Sequence, residues 1–124
     1  MNKDIILASK SETRAKLLRN AGINFEPVAH GVDEDEVKLS MSKNLPEEVV
    51  VKLAEMKALK PSMSNNNAFV IGSDQGLDLK GELISKARDK NEAKEQLIKM
   101  SGSTHTLITA TIVAQNNNII WKHV

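Results

Sequence analysis

The sequence contains no cysteine and no tyrosine. Without thiols there are no disulfides, no thiolate zinc sites and no cysteine nucleophile. That fits a reducing, cytoplasmic setting. Aromatic residues make up only 2% of the chain, namely Phe25, Phe69 and Trp121. A stacking platform for single-stranded nucleic acid draws on more of them, so the core must be aliphatic. Charge of one sign is also lacking: 17 Lys and Arg against 16 Asp and Glu leave a net +1. Such a balance argues against a nucleic-acid track and against an anionic membrane surface as partner. No run approaches the roughly 18 apolar residues of a membrane helix. The opening Met1-Asn2-Lys3-Asp4 leads into too few apolar residues for a signal-peptide core. GxxxxGK[ST] and GxGxxG are both absent, which removes the P-loop and Rossmann readings.

What is present describes a single α/β domain over residues 1–124. Hydrophobic content of 40% and charged content of 27% are ordinary for a globular chain. Ile5 to Ala8 reads as a short strand. Ser9 with Glu12 forms a capping box for a first helix carrying Ala15, Leu17 and Leu18 and ending at Gly22. Ile23 to Val28 returns as a strand, with Pro27 favouring an edge. Residues 29–44 read as a polar, acidic connection. Pro46 suits the first turn of the next helix, with Glu47 and Glu48 complementing its dipole.

On that helix Val50, Leu53, Ala54 and Lys57 share one face. Lys57 either snorkels to water or aims its charge into a cleft. Pro61 to Asn67 reads as a loop. Leu77–Leu79 and Glu82–Ile84 around Lys80-Gly81 predict a tight hairpin. Asp89 and Glu92 open another helix, which ends near Ser101-Gly102. Thr104 to Ala114 and the stretch from Ile119 predict two last strands around Asn116-Asn117-Asn118. Strands alternating with helices predict an α/β fold.

The most informative segment is Val70-Ile71-Gly72-Ser73-Asp74-Gln75. An apolar strand is expected to end there and present an acid, at the kind of position where α/β proteins place ligands and chemistry. Asp74 is a candidate base or metal ligand; taken alone it reads rather as a turn aspartate bonded to its own backbone, and it is the company it keeps that favours chemistry. Ser9, Ser11 and Arg14 stand where the first strand enters its helix, a setting whose free N–H groups suit phosphate. Lys57 and Lys86 add positive charge, and Asp33, Glu34 and Asp74 add carboxylates. Cations and acids around one cleft suit a Mg²⁺-bound nucleotide. His105 is a candidate acid or base, although a lone histidine starting a strand is more often structural, and His30 and His123 lack the spacing of a metal pair.

Taken in order, these residues resemble the Maf family of nucleoside triphosphate pyrophosphatases, also known as septum formation inhibitors. Ile6-Leu7-Ala8-Ser9-Lys10-Ser11 with Arg14 is similar to the family's opening motif. Gly31-Val32-Asp33-Glu34, Leu53-Ala54 with Lys57-Ala58, Ile71 to Gln75, Lys86 with Arg88-Asp89, and Ser101 to His105 resemble its later blocks.

The resemblance implies an α/β fold with a mixed twisted sheet, flanking helices and a cleft, similar to Maf and Ham1-like proteins. It implies hydrolysis of nucleoside triphosphates to monophosphate and pyrophosphate with Mg²⁺ or Mn²⁺. Asp74 would accept the proton of the attacking water. Ser9, Ser11, Thr13, Arg14, Lys57, Gln75 and Lys86 would hold substrate, and Glu34 and Asp74 would hold the metal. Thr13 and Gln75 depart from the commoner pattern and resemble the branch that includes 7-methyl-GTP pyrophosphatases. Ser85 and Ala87 replace the usual glycine and proline around Lys86.

Family members continue past the last strand, so the C-terminal part is expected to be missing. Its uncovered edge invites a second copy of the chain. The rival reading is a catalytically impaired nucleotide-binding module, or a truncated remnant acting by association.

Overall fold

A computed structural model describes residues 4–124 of the chain. Residues 1–3, on which part of the leader reading rests, lie outside it. Among the described residues, six strands and four helices follow the order β1 (Ile5–Leu7), α1 (Glu12–Asn20), β2 (Glu26–Pro27), α2 (Glu34–Ser40), α3 (Pro46–Ser62), β3 (Phe69–Leu79), β4 (Glu82–Ile84), α4 (Lys90–Met100), β5 (Thr106–Gln115) and β6 (Asn118–His123). They form one mixed sheet in the order β2-β1-β3-β5-β6, with β4 also paired to β3. The α/β expectation holds.

The central strand β3 organises the rest. Along one edge β5 pairs with it antiparallel without a break, from Val70↔Ala114 to Asp78↔Thr106. Along the other edge its neighbours change. Parallel β1 pairs with Phe69, Val70 and Ile71, and antiparallel β4 pairs only with Leu77, Asp78 and Leu79. The edge at residues 72–76 therefore faces a gap between two strands. The predicted strand end at Asp74 is corrected by this arrangement: the β5 ladder carries the strand onward, and Asp74 sits in its middle.

Helix α3 covers one face of the sheet. Val50, Ala54 and Ala58 pack on Ala110, Ile112 and Ala114. The small side chains let helix and sheet approach closely. A Cβ on Gly72 would lie 2.5 Å from the Ala58 backbone nitrogen and 2.7 Å from the Ala54 carbonyl oxygen. Only glycine fits there.

Several local expectations need correction. Ser11, not Ser9, caps α1, its hydroxyl accepting from the Arg14 N–H at 3.3 Å. The expected strand over residues 23–28 shortens to Glu26–Pro27. The acidic connection contains α2, because Asp33 caps it by accepting from the Glu36 N–H at 3.1 Å. Three acids in its first turn then complement the helix dipole. Pro61, read as loop, lies in the last turn of α3.

Other expectations hold. Lys80 and Gly81 take positive φ of 52° and 89° in the β3–β4 turn, as the tight hairpin requires. Asp89 caps α4 by accepting from the Glu92 N–H at 2.8 Å. Every residue of β6 is exposed, Ile120 and Trp121 among them. Among the described residues, no helix is long and apolar enough to cross a membrane.

Candidate active site

Alternation along β3 sends Asp74 to the α3 face, in line with Val70, Gly72 and Gly76. Gly72 and Gly76 leave room around it, and the missing neighbour on that edge opens a route to solvent. Asp74 is only 8% exposed, yet it borders a cavity of 290 Å³ shared with Glu34, Asp35, Lys38, Gln75 and Lys86.

Lys57 reaches the same spot from α3. Its Nζ donates to Asp74 Oδ1 at 2.8 Å and pairs with Glu34 Oε1 at 2.9 Å. Lys57 itself is 4% exposed. The charge thus aims inward, and the snorkelling alternative is set aside. A buried ammonium needs partners of opposite charge, and two carboxylates from two other elements supply them.

His30 extends the chain of contacts. Its Nδ1 accepts the Val32 N–H at 2.9 Å, so Nδ1 carries no proton and the neutral ring bears its hydrogen on Nε2. That Nε2 faces Glu34 Oε2 at 3.7 Å. Burial, then the Lys57 charge, push the His30 pKa below its ordinary 6.5, against the opposing pull of Glu34 and Asp74. At Glu34 desolvation pushes the carboxyl upward. The Lys57 hydrogen bond and charge, with His30 and Lys38, outweigh it, and the net shift is below the ordinary 4.5.

On the opposite face of the sheet lies a second cavity, of 490 Å³. Ser11, Thr13 and Arg14 line it from the start of α1, Leu17 and Leu18 from its middle, and Ser73, Gln75, Thr109 and Thr111 from the sheet. Gln75 borders both cavities. Its Nε2 donates to Thr109 Oγ1 at 2.9 Å. Ser9 is buried behind this wall, where its hydroxyl accepts from the Ser11 N–H at 3.0 Å and from Arg14 Nη1 at 3.5 Å.

Most residues singled out in the sequence therefore gather around two cavities that share Gln75. Ser11, Thr13, Arg14 and Gln75 line the larger cavity, and Glu34, Asp74, Gln75 and Lys86 the smaller. Ser9 and Lys57 stand buried behind them. Asp33 is turned to capping, and His105 is exposed just before β5. Sequence reading missed His30 as a neighbour of Glu34, and Asp35, Lys38, Thr109 and Thr111 as cavity walls. The D-x-x-E start of α2 was the available signal for the α2 pair.

The donor set suits a small hard cation. Glu34 and Asp74 converge on one atom, and carboxylate oxygens are the ligands that Mg²⁺ and Mn²⁺ prefer. Among the described residues no group of three His, Asp or Glu forms a metal cage. Two carboxylates with phosphate and water completing the shell is the usual arrangement for Mg²⁺.

The Maf-like protein family model matches residues 4–124. The chain belongs to the Maf family. A nucleoside triphosphate pyrophosphatase of Caulobacter vibrioides is 44% identical over 95% of the chain and 60% of the relative. A 7-methyl-GTP pyrophosphatase of Brucella abortus is 41% identical over 100% of the chain and 63% of the relative. The chain thus spans about three-fifths of the length of these Maf relatives. Among solved structures, the Ham1 protein of Staphylococcus aureus aligns with a TM-score of 0.51 at 17% identity, covering 98% of this chain and 67% of that one. That likeness shows a shared fold, the Ham1-like arrangement expected of a Maf protein.

Proposed function

We propose that this Maf chain carries the reacting centre of a cytoplasmic nucleoside triphosphate pyrophosphatase. The observation that carries the reading is the place of Asp74. It is a buried carboxylate on the open edge of β3, at the wall of a cavity that Lys86 also lines, and a second cavity with Arg14 and the α1 N-terminus adjoins it through Gln75.

Phosphoryl chemistry asks mainly for positioning, charge neutralisation and an oriented water. Ser11, Thr13 and Arg14 would grip phosphate oxygens at the start of α1, where backbone N–H groups point outward. Lys86, on an exposed loop, would close on the other end of the anion. Asp74 takes the proton of water as its oxygen attacks the α phosphorus. The bond from that phosphorus to the bridging oxygen breaks, and pyrophosphate leaves. Glu34 and Asp74 would hold the divalent cation, which supplies charge neutralisation on the phosphates. The relatives named nucleoside triphosphate and 7-methyl-GTP pyrophosphatases support a nucleotide substrate, and Thr13 with Gln75 supports the 7-methyl-GTP type.

The test is pyrophosphate release from a nucleotide panel that includes 7-methyl-GTP, with Mg²⁺ or Mn²⁺. Asp74→Asn is expected to lower release about 10³-fold, as for loss of a general base, while the protein stays folded. Release that survives Asp74→Asn unchanged overturns the assignment. Nucleotide binding by calorimetry without any turnover favours the binding-module reading instead.

A further inference from the structure

The ammonium of Lys57 lies between the two carboxylates that would hold a metal. We propose that Lys57 is a resident cation that keeps divalent ions off Glu34 and Asp74 until a polyphosphate draws it away. The proposal rests on the pyrophosphatase reading for its ligand, and its tests do not depend on turnover.

The geometry supports it in three ways. First, Lys57 Nζ sits 2.8 Å from Asp74 Oδ1 and 2.9 Å from Glu34 Oε1. A second cation engaging the same two oxygens would lie against a like charge in a poorly solvated site, where repulsion is strong. Secondly, the Lys57 side chain is 6% exposed. Losing both carboxylates to a metal would strand a buried ammonium, which is strongly unfavourable unless a new anion meets it. Thirdly, that anion has an approach. The smaller cavity is lined by Glu34 and Asp74, and it shares Gln75 as a wall with the α1 cavity. A polyphosphate lying across Gln75 would bring negative charge to the open edge of β3, next in sequence to Asp74, whose Oδ1 Lys57 holds at the end of a flexible four-carbon side chain.

Exchange of partners then couples the two ligands. Phosphate takes Lys57, and the freed carboxylates become available to the divalent ion. Coupling of this kind is reciprocal, so each ligand strengthens binding of the other. The charges of His30 and Lys38 also act on Glu34, whereas Lys57 alone is ion-paired with both carboxylates among the described residues.

Two measurements on the full chain decide the matter. Mn²⁺ binding without nucleotide, followed by the electron paramagnetic resonance of the free ion, should be at least tenfold tighter in Lys57→Met than in the unmodified protein. Equal or weaker binding by a folded Lys57→Met overturns the proposal. The second measurement needs no cavity-facing substitution in the sample itself. In protein labelled with ¹⁵N-lysine, the Lys57 Nζ resonance should stay in place on adding Mg²⁺ alone and move on adding inorganic tripolyphosphate. A resonance displaced by Mg²⁺ alone, or indifferent to tripolyphosphate, overturns it. Failure of the nucleotide panel to release pyrophosphate would reject the enzymatic reading and leave these binding results standing.

Discussion

The two faces of the sheet are built by different rules. Under α3 the side chains are small and the contacts close: Gly72, Gly76, Ala110 and Ala114 admit the helix almost to the backbone. On the other face Ile71, Ser73, Gln75, Thr109 and Thr111 border an open cavity. The first face fixes position. The second face leaves room for a ligand. Asp74 belongs to the close-packed face, yet beside the gap between β1 and β4 it borders a smaller cavity of its own. A polar carboxylate is thereby held as firmly as a core residue.

The sharpest way to break this contrast is Gly72→Val. Its side chain must enter the space of the Ala54 and Ala58 backbone, so overpacking should cost about 4 kcal/mol. Urea unfolding measures it, and a loss below about 1 kcal/mol would mean that α3 yields easily. Next is a pair on one strand. Ile112 is 0% exposed and Leu107 is 60% exposed. Ile112→Ala should cost about 3 kcal/mol. Glu34→Gln should act more weakly and only in acid. The folded pKa of Glu34 lies below its ordinary 4.5, so its contribution to stability is present above that value. It is lost as pH falls through the folded pKa. Thermal melts from neutral pH downward should show a shallower acid decline in Glu34→Gln than in the unmodified protein. Identical declines would show that Glu34 is not the group responsible. Smallest of all, Leu107→Ala should stay within about 0.5 kcal/mol; if it matched Ile112→Ala, the contrast between the faces would vanish.

Much of this was legible in the sequence for physical reasons. Lys57 stood out because it interrupts the apolar stripe of Val50, Leu53 and Ala54. Asp74 stood out because it follows an apolar run and a glycine. The hairpin at Lys80-Gly81 and the cap at Asp89 follow from local backbone chemistry, which needs no distant partner. The misses are of another kind. Helix α2 was hidden because its acids looked like a solvated loop, and its cap is a single short-range hydrogen bond. The length of β3 was hidden because β5, far along the chain, sustains it. The Lys57 link to both Glu34 and Asp74 joins three elements, and no local pattern announces such a meeting. His30 earned its place through a backbone turn that only tertiary contacts define.

The unbroken ladder with β5 on one side of β3 and the interrupted pairing on the other act like a vice with one fixed jaw. Substitutions that shift β1 or β4 would resize the opening, while the acid stays anchored to the back of the sheet. A lineage can therefore resize the mouth of the site without moving the carboxylate at its back.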